Sequence, residues 1–169
     1  MSITTIGILS DTHLSSPTEQ FKKLVDICFA DASIIFHAGD LTDITILDAF
    51  KDKQVHGVHG NMCRATACHA LPREKQVAVG PYLVAITHGM QYRMKYGDYI
   101  EEQLLLDFPE ADCIIYGHTH VPVCRRIGKV LIMNPGSFSA TGPYGSPGTY
   151  GILNMDNGLH GKILQAPKI

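Results

Sequence analysis

Ile6-Gly7-Ile8-Leu9-Ser10-Asp11-Thr12-His13 passes from an apolar run straight into a carboxylate and an imidazole two residues apart. An apolar run this short, ending in polar residues, reads as a strand covered on both faces. The chemistry begins where that strand stops. If the chain bends at Thr12, Asp11 and His13 turn toward one point and supply one oxygen and one nitrogen ligand.

Four further segments repeat the arrangement. Residues 34–36 lead into His37-Ala38-Gly39-Asp40, 55–58 into Gly60-Asn61, 83–86 into Thr87-His88-Gly89, and 113–116 into Gly117-His118-Thr119-His120. The candidate metal ligands are therefore Asp11, His13, Asp40, Asn61, His88, His118 and His120, arriving from five strand ends. In open α/β sheets, ligands bind beyond the carboxyl ends of strands, because loops gather there while strand and helix interiors are committed to packing. Gly39, lacking a side chain, lets the backbone approach a crowded centre, and the two oxygens of Asp40 can each bind a different metal. His118 and His120 can serve neighbouring ions while Thr119 points away. Asn61 adds an amide oxygen and His88 another imidazole.

Between the first two runs, Phe21, Leu24, Val25, Cys28 and Phe29 recur at helical spacing behind Ser16-Pro17-Thr18-Glu19. That string reads as a capping box with proline at the first helical position. A shorter helix is expected from Asp43 with Ile44 and Leu47 inward. Another is expected from Asp98, with Glu101 three residues on and Ile100, Leu104 and Phe108 on one face. After Gly117 the helical signal disappears, and 121–126, 130–133, 150–154 and 159–164 read as strands of antiparallel character. They are joined by turns such as Ile127-Gly128 and Asp156-Asn157-Gly158. The expected fold is α/β: two stacked mixed β-sheets flanked by helices, a four-layer α/β/β/α sandwich.

At 169 residues the chain is expected to form one domain over 1–169. A net charge of -2 with scattered acids and bases offers no polycationic face, so nonspecific nucleic-acid binding is not expected. No apolar run approaches the roughly 18 to 20 residues of a membrane span, and Met1-Ser2-Ile3-Thr4 opens no signal core, so a cytoplasmic enzyme is expected. The five cysteines, 28, 63, 68, 113 and 124, read as free and mostly buried thiols, Cys63 and Cys68 among the space-filling ones. His37, His56, His59, His69 and His160 read as structural histidines. Edge strands that need covering suit a homo-oligomer, although no sequence stripe marks its interface.

Asp-x-His, Gly-Asp, Gly-Asn, a lone His and Gly-His-x-His, in this order over residues 6–138, resemble the calcineurin-like metallophosphoesterase superfamily. The short length and Asn134-Pro135-Gly136-Ser137 resemble its small single-domain phosphodiesterase branch of bacteria and archaea, related in fold to a retromer scaffold subunit of eukaryotes. The resemblance implies one metal on Asp11, His13, Asp40 and His120 and a second on Asp40, Asn61, His88 and His118. Mixed nitrogen and oxygen ligands without thiolate favour manganese, iron or zinc over calcium or Cu(I). Manganese fits the family pattern, and nickel is within range. Two ions about 3.5 to 4 Å apart can acidify a bridging water, orient it in line and neutralise phosphoryl oxygens. The implied activity is hydrolysis of a small-molecule phosphodiester by a hydroxide bridging two divalent metals, with Asp40, Asn61 and His118 at the chemistry. Two divalent ions outweigh Asp11 and Asp40, so an anionic ester fits without a basic patch.

Two departures bear on the substrate. Many superfamily members carry a histidine resembling a general acid, then an aspartate, directly after Gly-Asn; Met62 and Cys63 stand there. General acid catalysis is worth about 10² to 10⁴, so its loss hurts poor leaving groups most. Small members of the branch often lack it, which favours diesters. The arginine that commonly follows Asn-Pro-Gly-Ser is absent from Phe138-Ser139-Ala140-Thr141-Gly142-Pro143. Residues 142–148 read as a turn between strands rather than a phosphate cradle. Residues 90–98, with Gln91, Tyr92, Arg93, Lys95 and Tyr96, suit either a grip on a nucleobase or sugar phosphate, or an amphipathic surface loop. The rival functions are a phosphomonoesterase and a noncatalytic scaffold. Seven convergent ligands count against the scaffold.

Overall fold

A computed structural model describes residues 4–96, 99–139 and 148–169. The first half of the chain runs β1 (Thr4–Leu9), α1 (Glu19–Cys28), β2 (Ile34–His37), a 3-10 helix (Ile44–Phe50), β3 (Gln54–Gly57), α2 (Ala65–Ala70), β4 (Glu74–Val79) and β5 (Tyr82–Thr87). The second runs α3 (Met90–Tyr96), α4 (Ile100–Asp107), β6 (Cys113–Ile115), β7 (Val123–Ile127), β8 (Val130–Asn134), β9 (Thr149–Met155) and β10 (Leu159–Gln165).

Alternation along the strands decides the layers. Ile6, Ile8, Ile34, Phe36, Val84, Ile86, Cys113, Ile115, Leu131 and Met133 point inward from two sheets and merge in one core. The intervening residues point outward. Leu9 and Ile35 pack under Phe21, Leu24, Val25 and Phe29 of α1 and its C-terminal end. Ala85, Ile114 and Ile132 pack under Ile100, Leu104 and Phe108. One sheet has the order β10-β9-β1-β2-β3 and the other β4-β5-β6-β8-β7. Both are mixed: β1, β2 and β3 are parallel, as are β5, β6 and β8, while the outer strands run antiparallel. The expected four-layer sandwich is what the chain forms. Among the described residues no helix is long and apolar enough to cross a membrane.

Several local expectations are corrected. The cap of α1 is Thr18, whose Oγ1 accepts from the Phe21 N–H at 3.1 Å, so Ser16 and Pro17 precede the helix. Asp43 does cap its helix, by accepting from the Thr45 N–H. The 3-10 winding, however, buries Ile46 and Phe50, leaving Ile44 and Leu47 only half-buried. Residues 90–96 are helical rather than a loop, and the expected start at Asp98 lies outside the described residues, with α4 beginning at Ile100. β4 carries Glu74, Lys75 and Gln76 on an edge, and α2 is too short to show periodicity; neither was anticipated. β8 is parallel to β6, against the antiparallel reading of the second half, because a fully buried strand belongs in the middle of a sheet. Cys28 and Cys113 are buried, but Cys63 and Cys124 are half-buried and Cys68 is exposed. Of the turn expected at 142–148, all but Gly148 lies outside the described residues.

Candidate metal centre

β1, β2, β3, β5 and β6 deliver their following loops to one end of the sandwich, and backbone hydrogen bonds lace those loops together. Asp11 N–H donates to Gly39 O at 2.9 Å and His13 N–H to Asp40 O at 3.0 Å, joining the first two loops. Gly117 N–H donates to His88 O at 3.0 Å, joining the last two. Asp11 (φ 55°), His13 (49°), Asp40 (53°), His118 (66°) and His120 (57°) all adopt the left-handed region. That conformation costs an L-residue about 1 to 2 kcal/mol. Its concentration on candidate ligands marks a place where aiming a side chain outweighs backbone comfort.

Gly60 is needed for close approach: a Cβ there would lie 2.1 Å from Asp40 Oδ1 and 2.8 Å from His88 Cδ2. Gly39 plays the part expected of it, since a Cβ would fall 2.6 Å from His88 Nδ1 and its φ is +95°.

The side chains form two groups of donor atoms, each within 4.8 Å of one another: Asp11, His13 and His120, and Asp11, Asp40 and His88. Asp11 is common to both. Asn61 and His118 border the second group through His88: Asn61 Oδ1 is 3.1 Å from its Nε2, and the His118 ring stands edge-on at 5.2 Å. All seven candidate ligands are thus at one place. Asp11, Asp40 and His88 form a buried floor, while His13, Asn61 and His120 form an exposed rim.

A divalent ion suits this donor set. Asp11 and Asp40 are essentially inaccessible, yet among the described residues their ion-pair partners are imidazoles and neither meets Lys or Arg. Buried carboxylates require compensation. Burial pushes the Asp40 pKa up, but the His88 hydrogen bond and charge, aided by the Met62 N–H, bring it below the usual value. Burial pushes His88 down, and Asp40 more than reverses this, so its pKa is raised. The hydrogen bond to Asp11 raises His120, whereas burial, reinforced by His88, lowers His118. The carboxylates thus favour positive charge on His88 and His120, as they would favour a bound cation.

The surroundings include residues whose roles were not legible. Asn134, fully buried, donates to Gly117 O (2.9 Å) and Thr119 Oγ1 (3.0 Å), and its Oδ1 accepts from Gly136 N–H. Ser137 Oγ donates to Asp11 O at 3.0 Å, and Ser10 Oγ to the Asp11 carboxylate. The Asn-Pro-Gly-Ser string therefore clamps the first and last ligand loops. Its order was visible in the sequence, but its partners were not. Of the histidines read as structural, His37 and His56 are buried within hydrogen bonds, while His59 lines a cleft beside Asn61.

The fold and this donor set define a metallophosphoesterase, and comparison with known proteins agrees. Residues 4–158 match the calcineurin-like phosphoesterase superfamily domain, and the chain belongs to that superfamily. It is 35% identical over 133 residues to a probable metallophosphoesterase of Methanocaldococcus jannaschii, covering 78% of this chain and 67% of that one. It is 26% identical over 168 residues to a phosphodiesterase of the same organism, covering 94% and 98%. A solved structure of a predicted phosphoesterase from Streptococcus pneumoniae is similar with a TM-score of 0.73 and 25% identity, covering 98% of this chain and 91% of that one.

Proposed function

We propose that this chain is a phosphodiesterase, one domain over residues 1–169, in which Asp11, His13, Asp40, Asn61, His88, His118 and His120 hold two divalent ions, manganese foremost. The observation that carries the reading is the pair of buried carboxylates, Asp11 and Asp40, at the meeting of five strand ends, whose ion-pair partners among the described residues are imidazoles rather than Lys or Arg. Two such ions supply Lewis acidity, acidifying water and offsetting charge on the phosphoryl oxygens. Asp40 would offer its carboxylate to these ions, with its Oδ1 held by the Met62 N–H at 2.7 Å. Asn61, exposed beside His88, and His118, stacked edge-on to it, would orient the phosphoryl oxygens. Met62 turns its thioether to solvent, and the Cys63 sulfur accepts the Gly60 N–H, so neither side chain is placed to protonate a leaving group. Diesters with good leaving groups suit such a site better than alkyl monoesters. Free cysteines suit a reducing, cytoplasmic setting.

The test is turnover of a chromogenic phosphodiester and its matched monoester by metal-stripped protein titrated with manganese. Diester turnover should saturate near two manganese ions per chain. Asp40→Ala should lower it by more than about 100-fold, since even outer-shell partners of metal ligands are worth 10 to 100. Undiminished turnover in that variant would sink the two-metal reading, and preference for the monoester would make the chain a phosphatase. Silence on both would return it to the scaffold class.

A further inference from the structure

A cleft of about 490 Å³ opens beside the candidate ligands, within the usual size range of small-molecule pockets. Asn61 and His88 line it, so it is continuous with the centre. Its other walls include Cys68 of α2, Met90 and Gln91 at the start of α3, and Arg73 immediately before β4. Of the lining residues Arg73 alone carries a fixed positive charge.

The sheet register places that charge. β4 pairs antiparallel with β5 so that Glu74 stands opposite Thr87, and Arg73 is therefore one step beyond the ladder, alongside His88. A second tie comes from the His59 N–H, which donates to Pro72 O at 3.0 Å and joins the segment bearing Arg73 to the one bearing Asn61. Arg73 is exposed and has no hydrogen bond or ion pair among the described residues, whereas Arg64 is paired with Asp43 and Arg125 with Glu101. A second cleft, which shares Arg73 and Gln91 with the first, adds Glu74, Tyr92, Lys95 and Asp107, where acids balance bases and give no net pull on an anion. The first cleft has no acid among its walls.

We propose that Arg73 grips a second phosphate on the substrate, so that preferred substrates are nucleotide-sized phosphodiesters whose alcohol half carries a further phosphate. This rests on the phosphodiesterase reading above. The scissile phosphate belongs over Asp11 and Asp40, and a group lying along the cleft meets Arg73 instead. A guanidinium presents paired N–H donors that match phosphate oxygens, which an ammonium does not reproduce. Met90 gives the cleft an apolar wall against which a base or sugar can lie. Gln91, held by its amide N–H to Thr87 Oγ1 at 3.2 Å, adds a fixed polar group.

The experiment uses the p-nitrophenyl ester of thymidine 5′-phosphate in two forms, with a 3′-hydroxyl and with a 3′-phosphate, on the manganese-loaded full chain. The wild type should prefer the 3′-phosphate form in kcat/KM. Arg73→Met should raise KM for that form about 10- to 100-fold more than for the 3′-hydroxyl form, the worth of a charge-assisted pair, with kcat little changed. Arg73→Lys should recover part of the difference. An unchanged ratio between the two substrates in Arg73→Met would overturn the assignment while leaving the diesterase reading intact. If the wild type cleaves neither ester, that reading fails instead, and calorimetric binding of thymidine 3′,5′-bisphosphate decides Arg73 alone. Weaker binding to Arg73→Met would support it; equal binding would remove it.

Discussion

His37 ends β2 without solvent exposure, three residues before Asp40, yet it is no ligand. Gly39 N–H donates to its Nδ1 at 3.3 Å, so the proton sits on Nε2 and is offered to Thr12 Oγ1 at 3.2 Å. The neutral ring braces the bend between Asp11 and His13. Burial lowers its pKa from 6.5 to about 4, with the nearby charge of Asp11 opposing. The unfolded chain takes up this proton as the pH falls through 6.5, while the folded chain resists until about 4. Stability from this residue is therefore complete above pH 6.5 and lost progressively toward pH 4. The loss is on the order of 3 kcal/mol at most, taking about 1.4 kcal/mol per unit. Urea unfolding of metal-free protein across that range should show the slope, and His37→Gln should flatten it; an unaltered slope would assign the effect elsewhere. The sequence read His37 as structural, and its hydrogen bonds to Gly39 and Thr12 agree with that, although the Thr12 partner, 25 residues away, was not legible. The clamp formed by Asn134 and Ser137 was not legible, because its partners lie far off in the chain.

At the scale of elements, the strands ending in candidate ligands were readable because each is an apolar run between polar residues. The elements that escaped lack that contrast. β4 is an edge strand with charged residues facing solvent, and the apolar side of α3 is small, with Tyr92 buried. The starts of α1 and of the 3-10 helix were legible to within two residues, those of α2 and α3 were not, and the choice between Ser16 and Thr18 depended on which hydroxyl faces the Phe21 N–H. Thr18→Ala should destabilise the protein by about 1 kcal/mol. Ser16→Ala should stay within about 0.5 kcal/mol. Thermal unfolding of the two variants measures both, and equal effects would return the cap to Ser16. Glu101 illustrates the same limit: three residues after Asp98 it resembled a capping partner. It is buried, accepting from Tyr116 OH at 2.9 Å and paired with Arg125 across the helix–sheet interface, while Asp98 lies outside the described residues.

For the whole molecule, the proposed metal site predicts a link between metal and stability. Ions held at five strand ends would engage only the folded chain, and saturation at 100 times the dissociation constant would stabilise it by about 2.7 kcal/mol. Chelation should lower the unfolding temperature, and manganese should restore it in a concentration-dependent way. In Asp40→Ala most of that rise should vanish, and a full rise there would place the ions elsewhere. The sequence by itself determined the layered α/β class, the order of the candidate ligands and their position after strands, since period-two burial and apolar-to-polar boundaries are local signals. Only the tertiary structure decided that Asp11 is common to both donor groups, that the Asn-Pro-Gly-Ser string clamps the ligand loops, and that Arg73 stands beside His88. Those facts rest on pairings between distant segments, such as His120 and Asp11, 109 residues apart, which no local periodicity records.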